Sequence, residues 1–135
     1  MAIQLEIVTP EKKIFSDEVD GVVIPGIEGE MGVLPQHAPL VTTLAPGELA
    51  YTKNSQQEEL AIGQGFVEVT ATKVSVLTDM AVSDDEIDEA AVEEALERAQ
   101  KSLDEKLTDE EVAATQAAIM KSLAQLNLKR RRKRV

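Results

Sequence analysis

Two periodicities divide the chain. Residues 2–9 alternate apolar and polar, with Ile3, Leu5 and Ile7 or Val8 marking one face, and this period of two predicts a strand. Short pieces of the same kind recur at 13–16, 22–24, 31–34, 40–44, 48–52, 59–62, 66–70 and 74–78. Turn residues separate them: Pro10, the pair Asp20 and Gly21, Pro25 with Gly26, Pro46 with Gly47, the polar run 53–57, and Gly63 with Gly65. About ten strands fit into residues 1–82, a spacing that predicts an antiparallel β-sandwich or barrel.

At residue 83 the period changes. Ser83, Asp84, Asp85 and Glu86 read as a capping box, so a first helix is expected from there to about residue 106. Val92, Leu96, Ala99, Leu103 and Leu107 form its apolar stripe. Thr108 and Glu111 make a second capping box, and a second helix should start near 109. Its stripe is Val112, Gln116, Ile119, Leu123 and Leu126, flanked by small Ala residues. Gly and Pro are absent after Gly65. Two helices joined so closely predict an antiparallel helical hairpin. The expected organisation is a β-sandwich domain over 1–82 and a helical hairpin over 83–135. The stripes are narrow, so the hairpin alone should be marginally stable and needs a surface to dock on.

Composition narrows the function classes. The chain has 135 residues and no Cys, which removes thiolate chemistry and disulfides. Its three aromatic residues, Phe15, Tyr51 and Phe66, leave no stacking platform for single-stranded nucleic acid. No signal peptide and no long apolar span are visible, which predicts a soluble protein of a reducing compartment. The net charge is −11, but six cations crowd the last seven residues. Residues 1–128 therefore hold 8 basic groups against 25 acidic ones, a balance of −17. An acidic body with a cationic end repels nucleic acid and attracts an acidic protein or an anionic surface.

Candidate chemistry is sparse. Residues 28–44 hold the only His, two of five Pro and two of seven Gly. A general base at His37 would need Glu28 or Glu30 to orient it, and a lone imidazole beside Pro39 reads first as a structural turn. No set of metal ligands converges. Neither Gly26 with Gly29 nor Gly63 with Gly65 has the spacing of a phosphate loop, and the acids from Asp84 to Glu94 do not follow a calcium-loop pattern. Pattern alone gives a two-part interaction protein.

The assembled residues match something more specific. Glu28, Gly29, Glu30, Met31, Gly32, Val33, Leu34, Pro35, Gln36, His37, Ala38, Pro39 and Leu40 form a continuous motif. Together with the opening Val8, Thr9, Pro10, Glu11 and Lys12, the segment 63–69 and a following helical hairpin, it resembles the epsilon subunit of F-type ATP synthases. The resemblance covers essentially the whole chain. It implies a non-catalytic central-stalk (rotor) subunit of a proton-translocating enzyme, with a sandwich that binds the gamma subunit and rests on the c-ring. It places the c-ring contact on Glu28, Gly29, Glu30 and Met31, and gives His37, Ala38 and Pro39 the shaping of the adjoining turn.

The helices of that family fold against the sandwich or extend toward the catalytic head. Extended, they restrain ATP hydrolysis, and the basic end, here Lys129, Arg130, Arg131, Arg132, Lys133 and Arg134, meets an acidic segment of a beta subunit. Some bacterial members bind ATP on the folded hairpin. In this chain Asp88 and Arg98 match parts of that site, but Ala91 stands where the motif has Arg. Poor ATP affinity and no resident cofactor are therefore expected. An ATP-sensing switch and a free-standing adaptor with a basic tail are the alternatives. The implied location is peripheral, on the cytoplasmic face of a bacterial inner membrane, with an organelle-encoded thylakoid protein as the alternative. The membrane is reached only through the complex, and nucleic acid is not a partner.

Overall fold

A computed structural model describes residues 2–105 and 107–133, with side chains as far as Arg131. Ten strands come first: β1 (Ile3–Val8), β2 (Lys13–Val19), β3 (Gly21–Gly26), β4 (Gly29–Val33), β5 (Leu40–Leu44), β6 (Gly47–Lys53), β7 (Gln56–Ile62), β8 (Gly65–Val69), β9 (Lys73–Thr78) and β10 (Ala81–Ser83). They hydrogen-bond in the order β10-β7-β6-β3-β5-β8-β9-β1-β2, with β4 on β3. Every pairing is antiparallel except β1 with β9, where Leu5 lies beside Val74 and Ile7 beside Val76. The path bends back on itself. Phe15 on β2 meets Tyr51 on β6, strands far apart in that order, with ring centroids 4.6 Å apart. The result is the expected sandwich.

Alternation decides what lies between its layers. Ile3, Leu5 and Ile7 are fully buried while the residues between them are half-exposed. Val67 and Val69 point inward, and so do Val74 and Val76 across the ladder. Ile24, Val33, Leu49 and Ile62 complete an aliphatic core, as a chain with three aromatics requires. Turns close the ladders where glycine permits. Gly65 has φ +154°, and a Cβ there would stand 1.9 Å from the Leu77 carbonyl oxygen. Beside it the Thr78 hydroxyl donates to the Gln64 carbonyl at 2.9 Å.

Three boundaries differ from expectation. β3 runs through Pro25 and Gly26 rather than stopping before them; its edge pairs with β4, and Pro25 faces Glu30. The short β10 extends the sheet beside β7 through Ala81, Val82 and Ser83, a piece too brief for a periodic signal. The Ser83–Glu86 box caps only a single 3₁₀ turn, η1 (Asp84–Glu86). There the Glu86 carboxylate accepts from the Ser83 N–H at 3.1 Å and its hydroxyl at 3.0 Å. Ile87 then turns inward, 5% exposed, and the helix restarts on Asp88. Helix α1 spans Glu89–Ser102, shorter at both ends than predicted. Lys106 lies outside the described residues.

Helix α2 (Asp109–Lys133) opens on the expected Thr108 box. Thr108 N–H donates to Glu111 at 3.1 Å, and Glu111 N–H donates to the Thr108 hydroxyl at 3.2 Å. The buried side of α2 is broader than the predicted stripe. Ser122, Ala124, Leu126 and Leu128 are buried, whereas Leu123 is 41% exposed. The reason is that α2 packs on two neighbours at once. One flank meets α1, and the other presses Ala124 and Leu128 onto Ala61 of β7 and onto Ile87. The hairpin is thus folded against the sandwich.

Two measurements check these assignments. Gly65→Ala should lower unfolding stability by about 3 kcal/mol or more in urea titration, because both its φ and the Leu77 carbonyl forbid a side chain. Gly32→Ala, with open space at its Cβ, should change stability by less than about 1 kcal/mol. In the second test, the hydrogen bonds from Thr108 hold the Glu111 carboxyl below the ordinary carboxylate range. A depressed acid stabilises the fold above its unfolded value and loses that contribution as pH falls through its folded one. Amide protection in the first turn of α2, taken relative to intrinsic exchange at each pH, should therefore fall below the ordinary carboxylate range, before the sheet amides respond.

Candidate functional site

A tight, exposed turn joins β3 to β4. Gly26 faces Gly29 across the hairpin, so Ile27 and Glu28 form a two-residue connection, and Gly29 takes φ +128°. The turn is held from behind. Ile27 N–H donates to the Thr43 carbonyl at 3.0 Å, and Ala45 N–H to the Pro25 carbonyl at 2.9 Å. Ile27 is 64% exposed, and Glu28, Gly29 and Glu30 are exposed beside it. Met31 is half-buried against the core. The structure therefore brings the four predicted contact residues together around a shallow concavity of about 270 Å³, shared with Leu40 and Thr42. The tip is thus apolar, flanked by two carboxylates and carried on a braced turn.

His37 stands at the far end of β4 from that tip, so Glu28 and Glu30 do not orient it. Its Nδ1–H donates to the Ala38 carbonyl at 2.7 Å. Its backbone N–H donates to Leu34 at 3.2 Å, and Gln36, at φ +70°, donates to Ala71 at 2.9 Å. The segment of His37, Ala38 and Pro39 is a hydrogen-bonded turn, and no proton-transfer pair forms there.

The cationic end meets acids of its own chain. Lys129 Nζ donates to the Asp84 carbonyl at 3.2 Å and lies 3.9 Å from its carboxylate. Arg130 Nε pairs with Glu89 at 3.1 Å, and its other edge with Glu93. These two carboxylates, Glu89 first, raise the guanidinium's pKa above its ordinary value. Arg131 reaches Glu48 on β6 at 2.6 Å and also Glu59 on β7. Two turns earlier Lys121 pairs with Asp79 at 3.0 Å. The side chains of Arg132 and Lys133, and all of Arg134, lie outside the described residues.

Asp88 and Arg98 are not brought together. Asp88 caps α1, accepting from Ala91 N–H at 3.2 Å. Arg98 is exposed ten residues on, about 15 Å along the axis. The cleft between the helices, about 450 Å³, is lined instead by Glu93, Glu94, Glu97 and the already paired Arg130. Three carboxylates make a poor seat for a polyphosphate.

One surface went unmarked in the sequence. Val41 is 66% exposed, Phe66 50% and Leu77 40%. Phe66 lies between Thr43 and Leu77 in adjacent strands, and Val8 continues the row beyond Leu77. Strand parity carried the signal, since Val67 and Val69 point inward and Phe66 must face out. An apolar row on an outer sheet face is the kind of surface that a partner can cover.

The family model of the ATP synthase delta/epsilon chain beta-sandwich domain matches residues 2–84. The model of the long alpha-helix domain matches residues 85–130. The chain belongs to the ATP synthase delta/epsilon family. Among its relatives, the ATP synthase epsilon chain of Herpetosiphon aurantiacus is 41% identical over 98% of both chains. That of Dehalococcoides mccartyi is 42% identical over 98% of this chain and 95% of the relative. A chain in the Euglena gracilis mitochondrial ATP synthase assembly of OSCP, F1 and c-ring superposes with a TM-score of 0.77 at 28% identity. The match covers 93% of this chain and 79% of that one. A chain of the Tetrahymena thermophila central stalk and c-ring shares the fold, with a TM-score of 0.64 at 13% identity over 96% and 97% of the two chains.

The delta/epsilon hairpin described here depends on its apolar seat. Leu128→Ala should cost about 2–4 kcal/mol at that contact. Amide exchange in α1 and α2 should then accelerate while β1 and β9 keep their protection. Equal acceleration everywhere would show that hairpin and sandwich open as one unit.

Proposed function

We propose that this chain is a non-catalytic rotor subunit of an F-type ATP synthase, coupling rotation between the c-ring and the catalytic head. The observation that carries this reading is the braced β3–β4 turn with exposed Ile27, Glu28 and Glu30, on a fold like that of a chain from an assembly of OSCP, F1 and c-ring. In this reading the turn touches the c-ring through Glu28, Gly29, Glu30 and Met31. The outer row of Val41, Phe66 and Leu77 takes the gamma subunit. The helices, when extended, bring Lys129, Arg130, Arg131 and the residues after them to an acidic segment of a beta subunit and slow hydrolysis. No chemistry is assigned to His37, which is tied into its own turn. No nucleotide is assigned to the hairpin, where glutamates line the cleft. The two epsilon chains named above, at 41% and 42% identity, are bacterial, which supports a peripheral position on the cytoplasmic face of the inner membrane. Among the described residues no helix is long and apolar enough to cross a membrane.

Two substitution pairs and one truncation separate the roles. Val41→Ser with Phe66→Ser should weaken capture by gamma about tenfold or more. Ile27→Ser with Glu30→Lys should spare gamma binding and release the c-ring in pull-down. Ending the chain after residue 83 should leave both contacts and raise ATP hydrolysis by the reconstituted complex. Full gamma binding by the first pair would remove the assigned face. Unchanged hydrolysis in the truncated chain would remove the brake.

A further inference from the structure

The last described turn of α2 is enclosed by acids. Consecutive helical residues project about 100° apart, so Lys129, Arg130 and Arg131 point in three directions. Each direction has its own wall. Lys129 meets Asp84 of η1, Arg130 meets Glu89 and Glu93 of α1, and Arg131 meets Glu48 and Glu59 of the sandwich. Leu128, fully buried, anchors the same turn from below. A helix lying on a single partner surface presents residues three and four apart, not three in succession. No flat acidic surface can take all three cations as this enclosure does.

We propose that Glu48, Glu59, Asp84, Glu89 and Glu93 form an acidic socket in cis that sequesters Lys129, Arg130 and Arg131. Ionic strength and socket charge then decide how often the cationic end is offered to another protein. The socket itself is a property of the isolated chain; its effect on hydrolysis rests on the braking role proposed above. The arginine pairs are exposed and individually weak, Lys129 with Asp84 is half-buried, and together they add to the apolar seat in tying α2 to both sandwich and α1. Screening should loosen them together, since exposed pairs weaken as salt shortens the Debye length. The acids of the socket also explain part of the body's negative excess. They repel one another when α2 leaves, which adds to the cost of opening and leaves an acidic surface for new cations.

The chain has no Cys, so nitroxides can be placed at Gln57→Cys on β7 and Gln116→Cys on α2, both exposed. In the full chain at low salt the spin–spin distance distribution should show the single component of the closed hairpin. Glu48→Gln with Glu59→Gln should add a long component and raise its share about fivefold, the change for losing two exposed ion pairs. Salt near 1 M should do the same to the unmodified socket. Arg131→Glu should open the hairpin, and adding Glu48→Lys with Glu59→Lys should close it again. Protection of β1 and β9 amides checks that the sandwich stays folded. A distribution unmoved by the Gln pair and by salt overturns the socket, as does failure of the charge swap to reclose it. In the assembled complex the Gln pair should deepen the restraint on hydrolysis. Opening without any change in hydrolysis would leave the socket standing and refute the braking role.

Discussion

The placement of the helical hairpin depends on the apolar seat where α2 meets β7. Ala124 and Leu128 lie on Ala61 and Ile87, and two of those four side chains are single methyl groups. Small residues on both partners let the helix approach the sheet closely, and Leu128 then fills the remaining depth. Burying that one leucine is worth about 2 kcal/mol, a large contribution for a hairpin whose apolar stripes are narrow. Remove the seat and the ion pairs lose their geometry, because none of the acids on β6, β7 or η1 would then lie near the end of α2.

The seat also explains why a cationic end coexists with an acidic body. Net charge describes how the chain meets others from afar. At short range the same charges pair within the chain, and Arg131 alone bridges the helix to two strands. The hairpin is therefore held by a small apolar contact and a ring of weak polar ones. Such a combination is stable enough to be populated and weak enough to be displaced by a partner.

Most of the sandwich was legible because period-two alternation and turn residues agree along residues 1–82. The misreadings cluster where local rules met tertiary demands. Pro25 looked like a stop, yet it pairs with Glu30 because β3 has an edge that needs no further donor there. The Ser83 capping box was real, but one turn later Ile87 had to turn into the apolar seat, so the helix restarted on Asp88. The second helix was placed correctly at its start, while its buried side was misjudged because a stripe assumes one neighbour and α2 has two. At the candidate contact turn, the four consecutive residues form one exposed hairpin tip and its first strand residues. The outer row of Val41, Phe66 and Leu77 required the register, which strand parity gives only in part. The ion pairs of the last turn join residues up to 83 positions apart, and no local pattern encodes that.

The parallel pairing of β1 with β9 bears on how the chain comes into being. Gln4 sits beside Lys73, so the first strand made can complete only one of its two ladders until nearly the whole sandwich has left the ribosome. Loop closure over that span is slow compared with hairpin formation. During synthesis β1 therefore waits with one edge open and Ile3, Leu5 and Ile7 unburied. The acidic charge spread along the strands, Glu6 among them, keeps nascent chains apart over that interval.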